Sequence, residues 1–325
     1  MSCFKSTIVR AAAFLVLVLA VVSLAFAQQP TRISITTGGT GGVYYPMGGG
    51  MANILSKYIP GLTATAEVTG GSVDNLRLIH AGKSEVAFSM VDAGWEAYEG
   101  TDKFKDGKVN VRTLMVLYPN KMHVVTIEGS GVNKLTDLKG KRVSTGSPGS
   151  GTEIMALRVL EAVGIDGKKD LKPERLGVAE SVNAIKDRKI DAFFWVGGLP
   201  TAAVTDLAAT PGVKVRLIDH DEAVDAMNKK YGPLYVKGVI PAGTYPGQDK
   251  PNTEVDVWNI LVTNDKMSET MAYNIVKTLF EKKPELVAVH KEAQNIELKS
   301  QTLGSPIPFH AGAKKYFAEQ GISVK

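Results

Sequence analysis

The chain holds a single cysteine in 325 residues, Cys3. Nothing after it can form a disulfide or serve as a cysteine nucleophile. Histidine is equally sparse. His80, His123, His220, His290 and His310 never fall at H-E-x-x-H or another metal-ligand spacing. A G-x-S-x-G elbow and a G-x-x-x-x-G-K-[ST] phosphate loop are also missing. The loop Gly146-Ser-Pro-Gly-Ser-Gly151 has the glycine spacing of the second motif, but Thr152 stands where the lysine should be. Without that point charge on the β- and γ-phosphates, ATP is excluded. A dinucleotide fingerprint starting at Gly39 fails as well, since it needs glycine where Tyr44 stands.

Charge is also muted: 38 Lys and Arg face 33 Asp and Glu. The only long apolar run, Ala11 to Ala27, follows Lys5 and Arg10 and ends in Ala25-Phe26-Ala27, the pattern of a cleaved secretory signal. Cleavage after Ala27 would leave 36 basic against 33 acidic side chains. That balance is too even for nucleic-acid binding. The Ala25-Phe26-Ala27 ending implies a mature chain starting at Gln28 in the periplasm.

What is abundant is glycine, and it is placed with a pattern. Ile33 and Ile35 alternate as a strand, Gly38 to Tyr45 reads as a loop, and Met47, Met51, Ile54, Leu55 and Tyr58 recur at helical spacing after Pro46. A strand-loop-helix corner points free backbone N–H groups and the positive end of a helix dipole outward, which is where open α/β sheets bind ligands. Tyr44 and Tyr45 supply walls and hydroxyl donors there. The corner recurs at Gly146 to Gly151, before a helix carrying Ile154, Leu157, Leu160 and Val163. It recurs again where the apolar strand Ile190 to Val196 meets Gly197-Gly198. Backbone N–H groups with the hydroxyls of Ser147, Ser150 and Thr152 form an uncharged anion nest. Val111 to Tyr118 and Met122 to Ile127 read as two strands broken at Pro119-Asn120, the first crossover between lobes, with His123 as a hydrogen-bonded hinge residue. Arg77 is weighed as a carboxylate clamp, but its second-turn position favours a structural ion pair.

Several long segments then carry a family resemblance. GTGGVYYPMGGG (39–50), EVTGGSVDNLRLI (67–79), STGSPGSGTE (144–153), DAFFWVGGLP (191–200), PAGTYPGQD (241–249) and IPFHAGAKKYFAEQG (307–321) occur in the order seen in TAXI proteins, the TRAP-associated extracytoplasmic immunogenic solute-binding proteins, which this chain resembles. The resemblance implies a two-lobed α/β periplasmic binding protein of the type II fold with a hinged central cleft. Residues 28–123 and 256–325 would form the first lobe and 124–255 the second. It implies a non-enzymatic, cofactor-free monomer that captures a small carboxylate, of the glutamate, 2-oxoglutarate or C4-dicarboxylate type, and delivers it to a TRAP transporter membrane subunit. Carried over residue by residue, the ligand-binding set is Thr40, Gly41, Gly42, Tyr44 and Tyr45 from the first lobe and Ser147, Gly149, Ser150 and Thr152 from the second. Trp195 to Gly198 makes a third wall. Two other readings share this cleft. A ligand-sensing protein docked on a receptor kinase would differ only at the lobe surfaces, and an enzyme would need a base, for which Asp92 is the one nearby acid.

Overall fold

The computed structural model describes residues 31–325. The signal segment and the start at Gln28 lie outside the described residues. Strand β1 (Thr31–Thr36) leads to helix α1 (Tyr44–Tyr58), β2 (Leu62–Glu67) to α2 (Ser72–His80), and β3 (Val86–Met90) to α3 (Val91–Glu99). A long strand β4 (Val111–Ile127) crosses into a second set of alternating elements. These are β5 (Arg142–Ser144), α4 (Gly151–Ala162), β6 (Lys172–Glu174), α5 (Val178–Lys186), β7 (Ala192–Gly197) and α6 (Ala202–Ala208). After β8 (Val215–Leu217), α7 (Ala223–Tyr231) and β9 (Tyr235–Ile240), the strand β10 (Asn252–Asn264) returns. Helices α8 (Glu269–Glu281), α9 (Lys283–Val289) and α10 (Ala311–Glu319) close the chain over the first half.

One ten-stranded sheet runs in the order β2-β1-β3-β10-β4-β7-β5-β6, with β8 on β4 and β9 on β10. The outer strands of each half are parallel, β1 with β2 and β3, and β5 with β6 and β7. The middle is antiparallel: β10 pairs with both β3 and β4, and β4 pairs with β7. Parallel strands need helical crossovers, and a strand covered on both faces reads as a continuous apolar run, as β3 does. Val86 to Met90 is buried at every position.

Residues 111–127 form one strand of 17 residues, where two strands broken at Pro119 were expected. Proline lacks the N–H that a central strand donates, which normally argues against a strand there. Here Pro119 sits opposite Trp258, beside an irregularity in the β4–β10 register between Trp258 and Ile260, where the ladder is already interrupted. The missing donor therefore costs little. Strand β10 likewise begins earlier than the expected Trp258 and reaches back to Asn252, so both central strands pass through both halves.

Two apolar cores result. The larger spans Ile33, Leu55, Phe88, Val116, Ile260 and Phe317, and a smaller one lies under α5 and α6 around Val182, Phe193, Val204 and Tyr245. Between the halves, Arg158 of α4 is buried among Asp92 and Glu96 of α3 and the Tyr235 hydroxyl. Burial pushes the Asp92 carboxyl above the usual range, and the Arg158 charge opposes that shift. A buried cation left unpaired costs several kcal/mol, roughly 3–5 when one partner is removed, so this cluster ties the halves in register.

Candidate ligand-binding site

Where the two halves face each other they enclose a cavity of about 400 Å³. Its walls are the turns that follow the C-terminal ends of β1, β2, β5, β6 and β7. These turns feed the N-termini of α1, α2, α4 and α5, so four helix ends converge on one space. Each end presents N–H groups that have no partner inside its own helix, together with about half a positive charge from the dipole. The residues that precede α1, α2 and α5 are Val43, Gly71 and Gly177, none of which caps with a side chain. Only α4 is capped, by Ser150, whose oxygen accepts from the Glu153 N–H.

The two halves touch across this space. Gly149 O accepts from Val73 N at 3.1 Å and Asp74 N at 3.2 Å, Ser147 Oγ donates to Gly70 O at 3.1 Å, and Ala203 N donates to Gly41 O at 3.3 Å. The cleft is therefore closed. Gly149 has φ +76 and faces the Asp74 carboxylate, so a side chain there would be strained by its backbone as well as blocked.

Of the residues expected to bind ligand, Thr40, Gly41, Gly42, Tyr44, Ser147, Ser150, Thr152 and Trp195 line the cavity. Tyr45, Gly149 and Gly198 do not. Tyr44 opens helix α1, where a loop was expected, and helical geometry turns the next side chain, Tyr45, to solvent at 38% exposure. Gly149 is spent on the contact with α2. Gly198 lies beneath the wall, against Glu292 and Tyr118.

Several hydroxyls are already engaged. Ser150 Oγ donates to Ser147 O, Thr152 Oγ1 accepts from Val196 N, and the Tyr44 hydroxyl donates to Asn259 Oδ1. Trp195 Nε1 donates to Thr201 Oγ1 at 2.8 Å, and the Cη2–Cζ2 edge of the indole comes up against Gly42 of the first half. The cavity also takes in Val68 to Ser72, Met90, Tyr118 and Arg175 to Glu180, which were not assigned to it from the sequence. Gly70-Gly71 repeats the strand-glycine-helix pattern and was visible in those terms. Tyr118 was not, because nothing in the sequence distinguishes a strand residue that borders a cavity from one in the core. Arg175 sits at the rim and pairs with Glu153 at 2.5 Å, and Glu180 at the same rim is exposed. The interior walls are thus uncharged. Asp92 is fully buried in the Arg158 cluster and does not line the cavity, and Arg77 is exposed outside it. His123 Nε2 shares a hydrogen bond with the Tyr245 hydroxyl at 2.8 Å, and its Nδ1 meets Lys121 O, both within the protein.

A family model described as the NMT1-like family matches residues 35–321. The chain belongs to the NMT1-like family. Among solved structures, this NMT1-like chain is similar to a protein of Bordetella bronchiseptica RB50, at 18% identity and TM-score 0.52, with 88% of each chain covered. It is also similar to an ancestral arginine-binding protein bound to arginine, at 13% identity and TM-score 0.50, covering 82% of this chain and 99% of that one. A third is a binding protein component of an ABC phosphonate transporter from Pseudomonas aeruginosa, at 11% identity and TM-score 0.50, covering 83% and 81%. The likeness is one of fold, and that fold is the two-lobed α/β architecture of periplasmic solute-binding proteins.

Proposed function

We propose that this NMT1-like chain is a periplasmic solute-binding protein that captures a small carboxylate between its lobes and delivers it to a TRAP-type membrane subunit. The observation that carries the ligand class is the convergence of the N-termini of α1, α4 and α5 on one cavity with uncharged interior walls, the first-turn N–H groups of α2 being taken by Gly149 O. Such an arrangement favours an anion without a buried cation. Micromolar binding needs about 8 kcal/mol, and charge-assisted hydrogen bonds contribute roughly 1.5–3 kcal/mol each, so four or five N–H and hydroxyl donors suffice. The TRAP partner rests on the ordered TAXI-like segments from Gly39 to Gly321. The name of the Pseudomonas neighbour points instead to an ABC permease, and identification of the permease encoded beside this gene separates the two.

Transport without catalysis fits the placement of Asp92, since the acid an enzyme would need there is tied to Arg158. The deciding experiment is a thermal-shift panel of amino acids, oxo acids, dicarboxylates, sulfonates, sugars and polyamines. A ligand at 100 times its Kd raises stability by about 2.7 kcal/mol, which is easily read. Stabilisation by carboxylates is the expected result. A response confined to sugars or polyamines would dismiss the ligand class.

A further inference from the structure

Glu292 is buried, yet it lies outside the cavity, in the short turn Lys291–Asn295 that follows α9. Both its oxygens accept from uncharged donors, Oε1 from Leu199 N at 2.5 Å and Oε2 from Asn295 Nδ2 at 2.6 Å. The first of these bonds crosses from the first half to the second. Burying a carboxylate is costly, and here the two N–H donors offset that cost. The segment that carries Glu292 is itself anchored. Lys283 Nζ at the start of α9 donates to Ile296 O at 2.9 Å, and α9 is pressed onto α1, where a Cβ on Gly50 would meet Leu286 Cδ1 and Val289 Cγ2 at 3.0 Å. Glu292 is therefore a fixed post of the first half.

What the post holds is a single peptide unit. The N–H of Leu199 and the C=O of Gly198 are opposite edges of one planar group, so fixing the first aims the second. Gly198 O accepts from Thr201 Oγ1 at 2.9 Å. A hydroxyl has one hydrogen, and once that hydrogen is committed to Gly198 O, its oxygen is left to accept. It accepts from Trp195 Nε1 at 2.8 Å. Three bonds in series thus run from Glu292 to the indole whose edge meets Gly42. The turn has no slack, since a Cβ on Gly198 would meet Glu292 Cγ at 2.7 Å and Tyr118 Cε2 at 3.0 Å. Gly197 pairs with Lys121 on β4, which places the turn at the joint between the halves, where opening displaces atoms least.

We propose that Glu292 is a positioning residue for the cleft: through the Gly198–Leu199 peptide and the Thr201 hydroxyl it sets Trp195 against Gly42, so that solute affinity depends on a first-half segment that does not touch the solute. This rests on the reading of the cavity as a solute site, and the two arms of the test separate them. The first arm needs no solute. In a full chain whose only tryptophan is Trp195 (Trp95→Phe with Trp258→Phe), Glu292→Ala should raise acrylamide quenching of the indole. Glu292→Gln keeps an acceptor oxygen for Leu199 N and should restore the parent value. The second arm titrates glutamate, 2-oxoglutarate and succinate by calorimetry. Glu292→Ala should weaken whichever of them binds the wild type by about 10-fold, the loss of one hydrogen bond, and Glu292→Gln should not. Thr201→Val removes the last link and should reproduce the Glu292→Ala effects in both arms. The double variant should be no worse than either single one, because links in series fail together. Should Glu292→Ala not fold, Glu292→Asp takes its place, since a carboxylate one methylene shorter cannot reach Leu199 N from the same backbone. Unchanged quenching in the Glu292 variant, or losses that add in the double variant as two independent packing defects would, overturns the relay. If none of the three acids binds the wild type, the carboxylate reading falls, and the quenching arm alone upholds or overturns the role of Glu292.

Discussion

Gly42 has no room for a methyl group. A Cβ at that position would meet Trp195 Cη2 at 2.7 Å and Cζ2 at 2.8 Å, and the indole cannot step aside because Thr201 holds its Nε1. Overpacking of this kind costs typically 1–3 kcal/mol, and here the cost falls on the closed state, since the two residues belong to opposite halves. Gly42→Ala should therefore weaken every ligand by roughly 10- to 100-fold. Ser147→Ala makes the contrast. Its hydroxyl donates to Gly70 O across the cleft, so its loss costs about 0.5–1.5 kcal/mol of closure. The expected signature in titrations is the same modest loss for all ligands. A loss confined to one ligand would mean that Ser147 pairs with the ligand itself.

At the scale of elements, β4 and its neighbours carry two histidines sealed from water. Burial pulls His123 down to about 3 and His220 to about 4. Each stays neutral in the folded chain and gains its proton only on unfolding, so unfolding takes up protons below about pH 6.5, the ordinary histidine value. Stability from these groups is full above that pH and falls as pH drops toward 4 and 3, by about 1.4 kcal/mol per pH unit for each histidine within its window. Glu254 acts in the opposite sense. Burial, reinforced by Asp256 alongside it, pushes its carboxyl up to about 9, so its contribution is present below the ordinary carboxylate range and is lost as pH rises toward 9. The two trends overlap, and a variant isolates one of them. His220→Asn keeps a donor for Ile218 O, which His220 Nδ1 contacts at 2.7 Å, but cannot titrate. Urea midpoints between pH 4 and 6.5 should slope less steeply than in wild type by about one proton's worth. An unchanged slope would mean that His220 does not titrate in that window.

These same elements mark what sequence reading can and cannot reach. The strand-glycine-helix corners at Gly38 to Tyr45 and at Gly146 to Gly151 were legible, because glycine clusters, helix periodicity and strand alternation are all local signals. The single strand through Pro119 was not, since whether a missing N–H matters depends on the partner strand, here the irregular stretch of β10 around Trp258. The Arg158 cluster was equally hidden. It joins α3 to α4, and no local pattern announces that an arginine will be buried against Asp92, 66 positions away. The exact start of α1 also escaped, because Pro46 suggested a first helical position and the helix begins at Tyr44.

For the whole molecule the readout of closure is Trp195. Its ring packs against the opposite half at Gly42, whereas Trp95 and Trp258 line a separate cavity near the C-terminus. Ligand addition should therefore change emission from Trp195 alone, because the contact with Gly42 exists only when the halves meet. Trp195→Phe should remove most of the ligand-dependent signal and keep measurable binding by calorimetry. If the signal persists there and disappears in Trp258→Phe, the moving surface is the other cavity. The two halves are joined by β4 and β10, which pass from one to the other as paired strands with register irregularities at Trp258/Ile260 and Leu261/Val262. A joint of that construction behaves as a torsion spring. It stores opening as extra twist at those irregular points of the ladder, and no stretch of chain has to freeze when the cavity fills. Ligand capture is then largely spared the ordering entropy that a floppy tether would levy, so even a very small solute can hold the molecule shut.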